Sequence, residues 1–422
     1  MSLTGNALNN SNEKRFKIVY AVTLVIFFAV CTVLYQRMTI SYPGVFGTYY
    51  SDINVRLAMH EINGGSIYYT YSIFLIPERW FYFVLGKPVG PWCIGVYLSF
   101  FTVGTVFILF QLLKKLCPEA KTGLLAFFSY VCIFSIPIII PPISDRVFSP
   151  YAGAVWHNES YLGMRFMALL VILFFFRTNE LYLKRFSAKD FVIESLLILF
   201  VNWLKPNFII AFGPAMLIMM IIDIVKAKGK GFFKWMMYGI PVLIGCAILP
   251  IQYLILFPSS SGSAAASESS SGVTLIFGDF IVSQKHPVLN IILAFGFTVF
   301  MFIIHRKEFI KSKFHQVCCL GWLFSFMEYA FLAEKGIRKG HENFYWGVRF
   351  FSLLLFCLSI GYFIKDIIAY RKNKEKADEN SDNKKKKAID LFFVENILVI
   401  AHLLSGIYYF VLVLLGARAS EL

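Results

Sequence analysis

Charge is what this sequence has little of. Only 15% of its 422 residues are charged, against 58% hydrophobic and 18% aromatic, and the mean hydropathy is +0.66. Soluble domains carry about 25% charged residues, so the shortage excludes a soluble enzyme, a nucleic-acid-binding module and a disordered tail. Other absences narrow the field. There is no glycine-rich phosphate loop, which leaves ATP-driven transport unsupported, and no Gly-x-Ser-x-Gly nucleophile elbow. The eight cysteines, six of them in or at the ends of apolar runs, show neither a disulfide framework nor zinc-ligand spacing. The first apolar run lacks a small-residue cleavage site and is expected to stay as an anchor. No two halves of related sequence are evident, which disfavours a transporter built from repeats.

What the chain has instead is apolar runs of bilayer-spanning length from end to end. The expected fold is all-α: a polytopic helical membrane protein forming a single domain over 1–422. Eleven spans are expected, at 17–36, 90–113, 122–142, 161–176, 190–204, 206–225, 235–257, 287–304, 315–332, 344–364 and 389–416. The net charge of +15 then becomes a topology signal. One alternating set of loops holds 27 of the 40 basic residues, nine of them between Lys365 and Lys387; the opposite set holds eleven. Positive loops stay in the cytoplasm, so the N-terminus is expected inside and the C-terminus outside. The basic loops also favour anionic inner-leaflet lipids.

Expected external loops are longer and chemically more varied than the cytoplasmic ones, apart from the charged cytoplasmic linker 371–387. The first external loop covers 37–89. Within it, 49–61 reads as a short amphipathic helix and 67–85 as an interfacial or re-entrant helix interrupted by Pro77, Glu78 and Arg79. A later loop, 258–285, contains a Ser- and Ala-rich tract with almost nothing to bury. Loops of this kind on one face suggest that the chemistry is done there.

Candidate residues follow. Asp52 sits on the first short helix, where a carboxylate can remove an acceptor proton; the bland alternative is an ion pair with Arg56 four residues on. The loop before the fourth span holds Asp145 and Arg146, then Trp156, His157 and Asn158. Together these offer a stacking surface, hydrogen bonds for sugar hydroxyls and, in His157, a proton carrier. Alternatively, Asn158-Glu159-Ser160 merely caps that span, with Ser160 closing the first turn. Arg165 and Arg349 each lie about one turn inside a span. There an arginine costs ~2.5–3.5 kcal/mol on insertion scales and normally faces a cavity or a partner. Both are suited to a lipid phosphate, which a guanidinium grips with two parallel bonds; snorkelling to headgroups is the alternative. Lys205, in the tight Lys205-Pro206-Asn207 turn, can reach the same anion. Glu334, Arg338 and Glu342 form a charge ladder if helical, and Glu342 with His341 is otherwise placed to bind a donor. Glu328 lies inside a span and needs a partner. Glu194, Asp366, Glu395 and the mid-span His402 are read as hydrogen-bonded packing.

The plan of a long first external loop, an early acidic residue on a short helix and polar groups on later external loops resembles the C-type (GT-C) glycosyltransferases. Asp52 follows the first span as that superfamily's catalytic acidic residue does, and 49–61 and 67–85 match its interfacial elements. The superfamily's acidic motif is often paired, whereas Asp52 is followed by Ile53 and Asn54. The resemblance implies a lipid-linked glycosyltransferase using a polyprenyl-phosphate sugar donor at the outer face. A divalent metal serves some of these enzymes; no metal ligands are assigned here. The alternatives are an O-antigen or capsule polymerase, and a flippase or transporter of lipid-linked sugars. The phenylalanine- and lysine-rich composition, without eukaryotic targeting signals, suggests a bacterial plasma membrane.

Overall fold

A computed structural model describes residues 3–40, 53, 57, 72–140, 149–256, 272–335, 342–375 and 382–416. These residues form an all-α polytopic membrane protein. The helices are α1 (Leu3–Ile40), α2 (Leu75–Val84), α3 (Gly86–Leu116), α4 (Thr122–Ile133), α5 (Glu159–Thr178), α6 (Ala188–Leu204) and α7 (Asn207–Lys226). They continue as α8 (Phe232–Cys246), α9 (Ile248–Leu256), α10 (Pro287–Ile304), α11 (Lys313–Phe331), α12 (Trp346–Glu375) and α13 (Asp382–Leu414). Eight helical segments among the described residues are long and apolar enough to cross a membrane. Large apolar side chains such as Phe233, Leu243, Val25 and Val288 point outward from them. Such a surface is stable against hydrocarbon and would be a liability in water.

Apolar helices in lipid gain little from hydrophobic contact with one another, so small and hydroxylated residues hold them together. The α1–α3 seam is built this way. Tyr35 and Thr102 share a 2.7 Å hydrogen bond, Thr32 donates to Ser99 at 3.1 Å, and Gly95 lies against the Thr32 carbonyl. At the centre stands α12, whose residues 346–364 are all buried. The end of the bundle that carries the basic loops is tied by Lys313 to Asp223 (3.0 Å), His305 to Asp366 (2.7 Å) and Arg177 to Asp190 (2.6 Å).

Two expectations change. The run 122–142 is not one helix: α4 stops at Ile133, and 134–140 continues without helical structure. Pro137 lacks an N–H and disfavours helix in the residue before it. Twelve residues of α4 reach only about 18 Å. The extended stretch lies inside the bundle, where non-helical backbone is tolerated only if protein satisfies it. His402 Nδ1 donates to the Ile136 carbonyl at 2.6 Å, and the Ile139 N–H donates to Ser405 Oγ at 3.0 Å. The Ile138 N–H donates to the Leu293 carbonyl, and the Ser135 carbonyl accepts from Ala154. His402 is thus a strap for this segment.

The charge ladder also fails. Leu332–Glu334 is a β-strand (β2) paired antiparallel with β1 (Val273–Leu275), with Val273 opposite Glu334. Glu334 accepts from Asn343 Nδ2 at 2.8 Å, and Glu342 accepts from the Tyr329 hydroxyl at 3.2 Å. The tail of 67–85 forms the ten-residue α2, too short to span. Within 49–61 only Ile53 and Leu57 are described; both are helical and buried, as one face of an amphipathic helix places them.

Candidate functional site

Three helices, α5, α7 and α12, begin at the same end of the bundle, the one opposite the basic loops. Asn158 opens α5: its Oδ1 accepts from the Tyr161 N–H at 2.8 Å, so the cap is Asn158 rather than Ser160. Ser160 Oγ donates to the same oxygen at 3.0 Å. Lys205 then converges on this cap. Pro206 opens α7, so α6 ends at Leu204 and Lys205 is left extended (φ −163°, ψ 119°). Its Nζ donates to Ser160 Oγ at 3.1 Å and to Asn158 Oδ1 at 3.3 Å. The ammonium also lies 4.1 Å from the centre of the Trp346 ring, on the first turn of α12.

Aromatic rings connect the cations. Trp346 packs on Tyr161 with centroids 5.1 Å apart. The Arg349 guanidinium carbon lies 4.2 Å from the Tyr345 ring centre and 4.9 Å from that of Trp346. The Arg165 guanidinium carbon is 5.6 Å from the Tyr161 ring centre. Arg165 Nη1 donates to the Gly153 carbonyl at 3.2 Å, and the Tyr161 hydroxyl donates to the same oxygen at 3.3 Å. Gly153 belongs to a buried, mostly non-helical stretch, 149–158, pressed against Leu353 of α12; a Cβ there would come within 2.7 Å of Leu353 Cβ.

All three cations are withdrawn from solvent: Arg165 is 0% exposed, Arg349 1% and Lys205 5%. Snorkelling, which keeps a charged head in water, does not describe them. Among the described residues, Arg165 Nε and Nη2 have no hydrogen-bond partner. A guanidinium kept dry in this way calls for an oxyanion. The amino ends of α5, α7 and α12 add partial positive charge at the same place.

Beside this cluster, Asn207 Nδ2 donates to Glu328 Oε1 and to the Asn343 carbonyl, both at 3.0 Å. That supplies the partner Glu328 required and joins α7, α11 and the start of α12. Glu342 takes a left-handed backbone (φ 47°), unusual for a side chain of its kind, immediately before α12.

The candidates from sequence thus separate. Arg165, Arg349, Lys205 and Asn158 gather at one place, with the His157 ring 6.4 Å from that of Trp346. Trp156 does not present a stacking surface. It is fully buried among Phe27, Phe134 and Phe410, with centroids 6.5, 5.9 and 4.8 Å away. The aromatic surface of the site is Tyr161, Tyr345 and Trp346 instead. Their signal was readable as helical spacing, because each arginine follows a tyrosine by four residues. Asp52, Asp145, Arg146 and His341 lie outside the described residues. No protein-family model matches this chain, and no curated protein matches it.

Proposed function

We propose that this is a membrane glycosyltransferase that moves a sugar from a polyprenyl-phosphate donor to an acceptor at the outer face of a bacterial plasma membrane. In this reading the chain crosses eleven times, N-terminus inside and C-terminus outside, and the cluster around Trp346 faces outward. The observation that carries it is the convergence of Lys205, Arg165 and Arg349, all buried, on one aromatic pair. Such a group suits a phosphate whose negative charge grows as it leaves. The acceptor hydroxyl attacks the anomeric carbon, Asp52 takes its proton, and the sugar–phosphate bond breaks with its electron pair going to the phosphate held by the cations. His157 and Asn158 supply polar contacts beside it.

A purified, reconstituted protein supplied with polyprenyl-phosphate sugars should release polyprenyl phosphate in step with transfer. Arg165→Gln and Arg349→Gln should each lower that release by ~10²-fold, the usual loss for one donor to a developing oxyanion. Wild-type release in both variants removes the reading. A second reading, a transporter of lipid-linked sugars, is favoured by the buried non-helical stretches 134–140 and 149–158, since interrupted backbone inside a bundle is common in transporters. It is distinguished by movement of intact donor across the vesicle without release of lipid phosphate.

A further inference from the structure

Each buried arginine ends a copy of the same short sequence. Residues 157–166 read HNESYLGMRF and residues 341–350 read HENFYWGVRF. His, Tyr, Gly, Arg and Phe recur at identical places, and one Asn and one Glu occupy the second and third positions in opposite order. The chain has no repeated halves, yet it carries this element twice.

The described parts of the two copies perform the same task. In each, the tyrosine four residues before the arginine puts its ring beside the guanidinium, at 5.6 Å for Arg165 and 4.2 Å for Arg349. In each, the glycine admits a close neighbour: Gly163 faces the Phe74 ring, and a Cβ on Gly347 would meet Ser325 Cβ at 3.0 Å and the Asn207 carbonyl at 3.3 Å. Each lies at the amino end of a helix, and both helices start at the same end of the bundle. The copies also touch. Tyr161 of the first packs on Trp346 of the second, and both guanidiniums lie within electrostatic range of the Tyr161 hydroxyl. Lys205 occupies the seam, bonded to Asn158 of one copy and over Trp346 of the other.

We infer that the duplicated element is a clamp for a single lipid pyrophosphate, one phosphate to each arginine with Lys205 between them. This rests on the phosphate reading above and narrows the donor to a pyrophosphate-linked lipid. Each arginine fork is matched to one phosphate, and copies in ring contact serve one headgroup rather than two separated lipids. Arg165 Nε and Nη2, which no described protein group engages, are the donors left for such a ligand.

The test uses the full-length protein in detergent, with farnesyl pyrophosphate, farnesyl phosphate and inorganic pyrophosphate titrated calorimetrically. The wild type should bind one farnesyl pyrophosphate at least ~10-fold more tightly than farnesyl phosphate. Arg165→Gln or Arg349→Gln should each bring the pyrophosphate down to the monophosphate level, leaving farnesyl phosphate within a few-fold of its wild-type affinity. Arg165→Lys and Arg349→Lys, checked for monodispersity, cover the case in which a glutamine variant does not fold; each should recover only part of the preference. Equal wild-type affinity for the two lipids, both lost in either single variant, overturns the clamp but leaves the donor-phosphate reading standing. Two farnesyl phosphates per chain overturns it in favour of separate lipid sites. Inorganic pyrophosphate binding as tightly as the farnesyl form would make the ligand a soluble diphosphate and overturn the lipid assignment. A Arg165→Gln/Arg349→Gln double variant with unchanged binding of both lipids removes both readings.

Discussion

Replacing Lys205 by methionine tests the site through the residue that joins its two halves. The change keeps the length of the stem and removes the ammonium. Lost with it are donations to Ser160 at 3.1 Å and Asn158 at 3.3 Å and a cation–π contact at 4.1 Å. The helix cap survives, because Asn158 Oδ1 still accepts from the Tyr161 N–H at 2.8 Å. Removing a buried ammonium also removes its desolvation cost, so folding stability should fall by only about 1 kcal/mol. Donor binding should suffer more. A hydrogen bond to a charged group is worth ~1.5–3 kcal/mol, which corresponds to a roughly 10- to 150-fold rise in donor Kd. In a phosphate-release assay the change should appear mainly in KM, because the donor phosphate is already anionic before reaction. Lys205→Arg, which keeps the charge and stacks on Trp346, should recover most of the loss. A folded Lys205→Met protein with wild-type KM would refute the reasoning: Lys205 would then be a structural brace between α5 and α12.

Further outcomes are expected elsewhere. Asp52→Asn should slow turnover by ~10²–10⁴-fold with donor affinity nearly intact, while Arg56→Gln leaves turnover close to wild type; normal turnover in purified Asp52→Asn protein ends the assignment of Asp52 as base. Cysteines introduced at Ser267 and Ser381, in a chain otherwise cleared of cysteine, should label from outside and inside respectively; labelling of both from one side makes the span count wrong by an odd number. His402→Phe keeps a ring in place but orphans the Ile136 carbonyl, so thermal unfolding should show a loss of ~1–3 kcal/mol. An unchanged Tm would mean that the 134–140 segment does not depend on this strap.

Much of the membrane architecture was legible residue by residue. Apolar runs, their spacing and the position of Arg165 and Arg349 within them are local properties, and hydrocarbon selects for them locally. The tight turn at Lys205-Pro206-Asn207 was equally readable, since Pro206 acts only on its neighbours. The span 122–142 was misjudged because its hydropathy is that of a helix. What holds 134–140 in another form comes largely from α10 and α13, with His402 lying 266 positions away from Ile136.

The same distinction governs the candidate site. Sequence alone determined that two arginines sit at comparable depth in apolar helices, each four residues after a tyrosine, because helical periodicity relates those positions without reference to the rest of the chain. Only the tertiary structure decided that both arginines and Lys205 share one aromatic pair, and that Trp156 turns into the core against Phe27, Phe134 and Phe410 instead of joining them. The polar and aromatic groups in one loop can serve a site or fill a core equally well. Which they do is determined by the helices packed against them, and those contacts come from segments far apart along the chain.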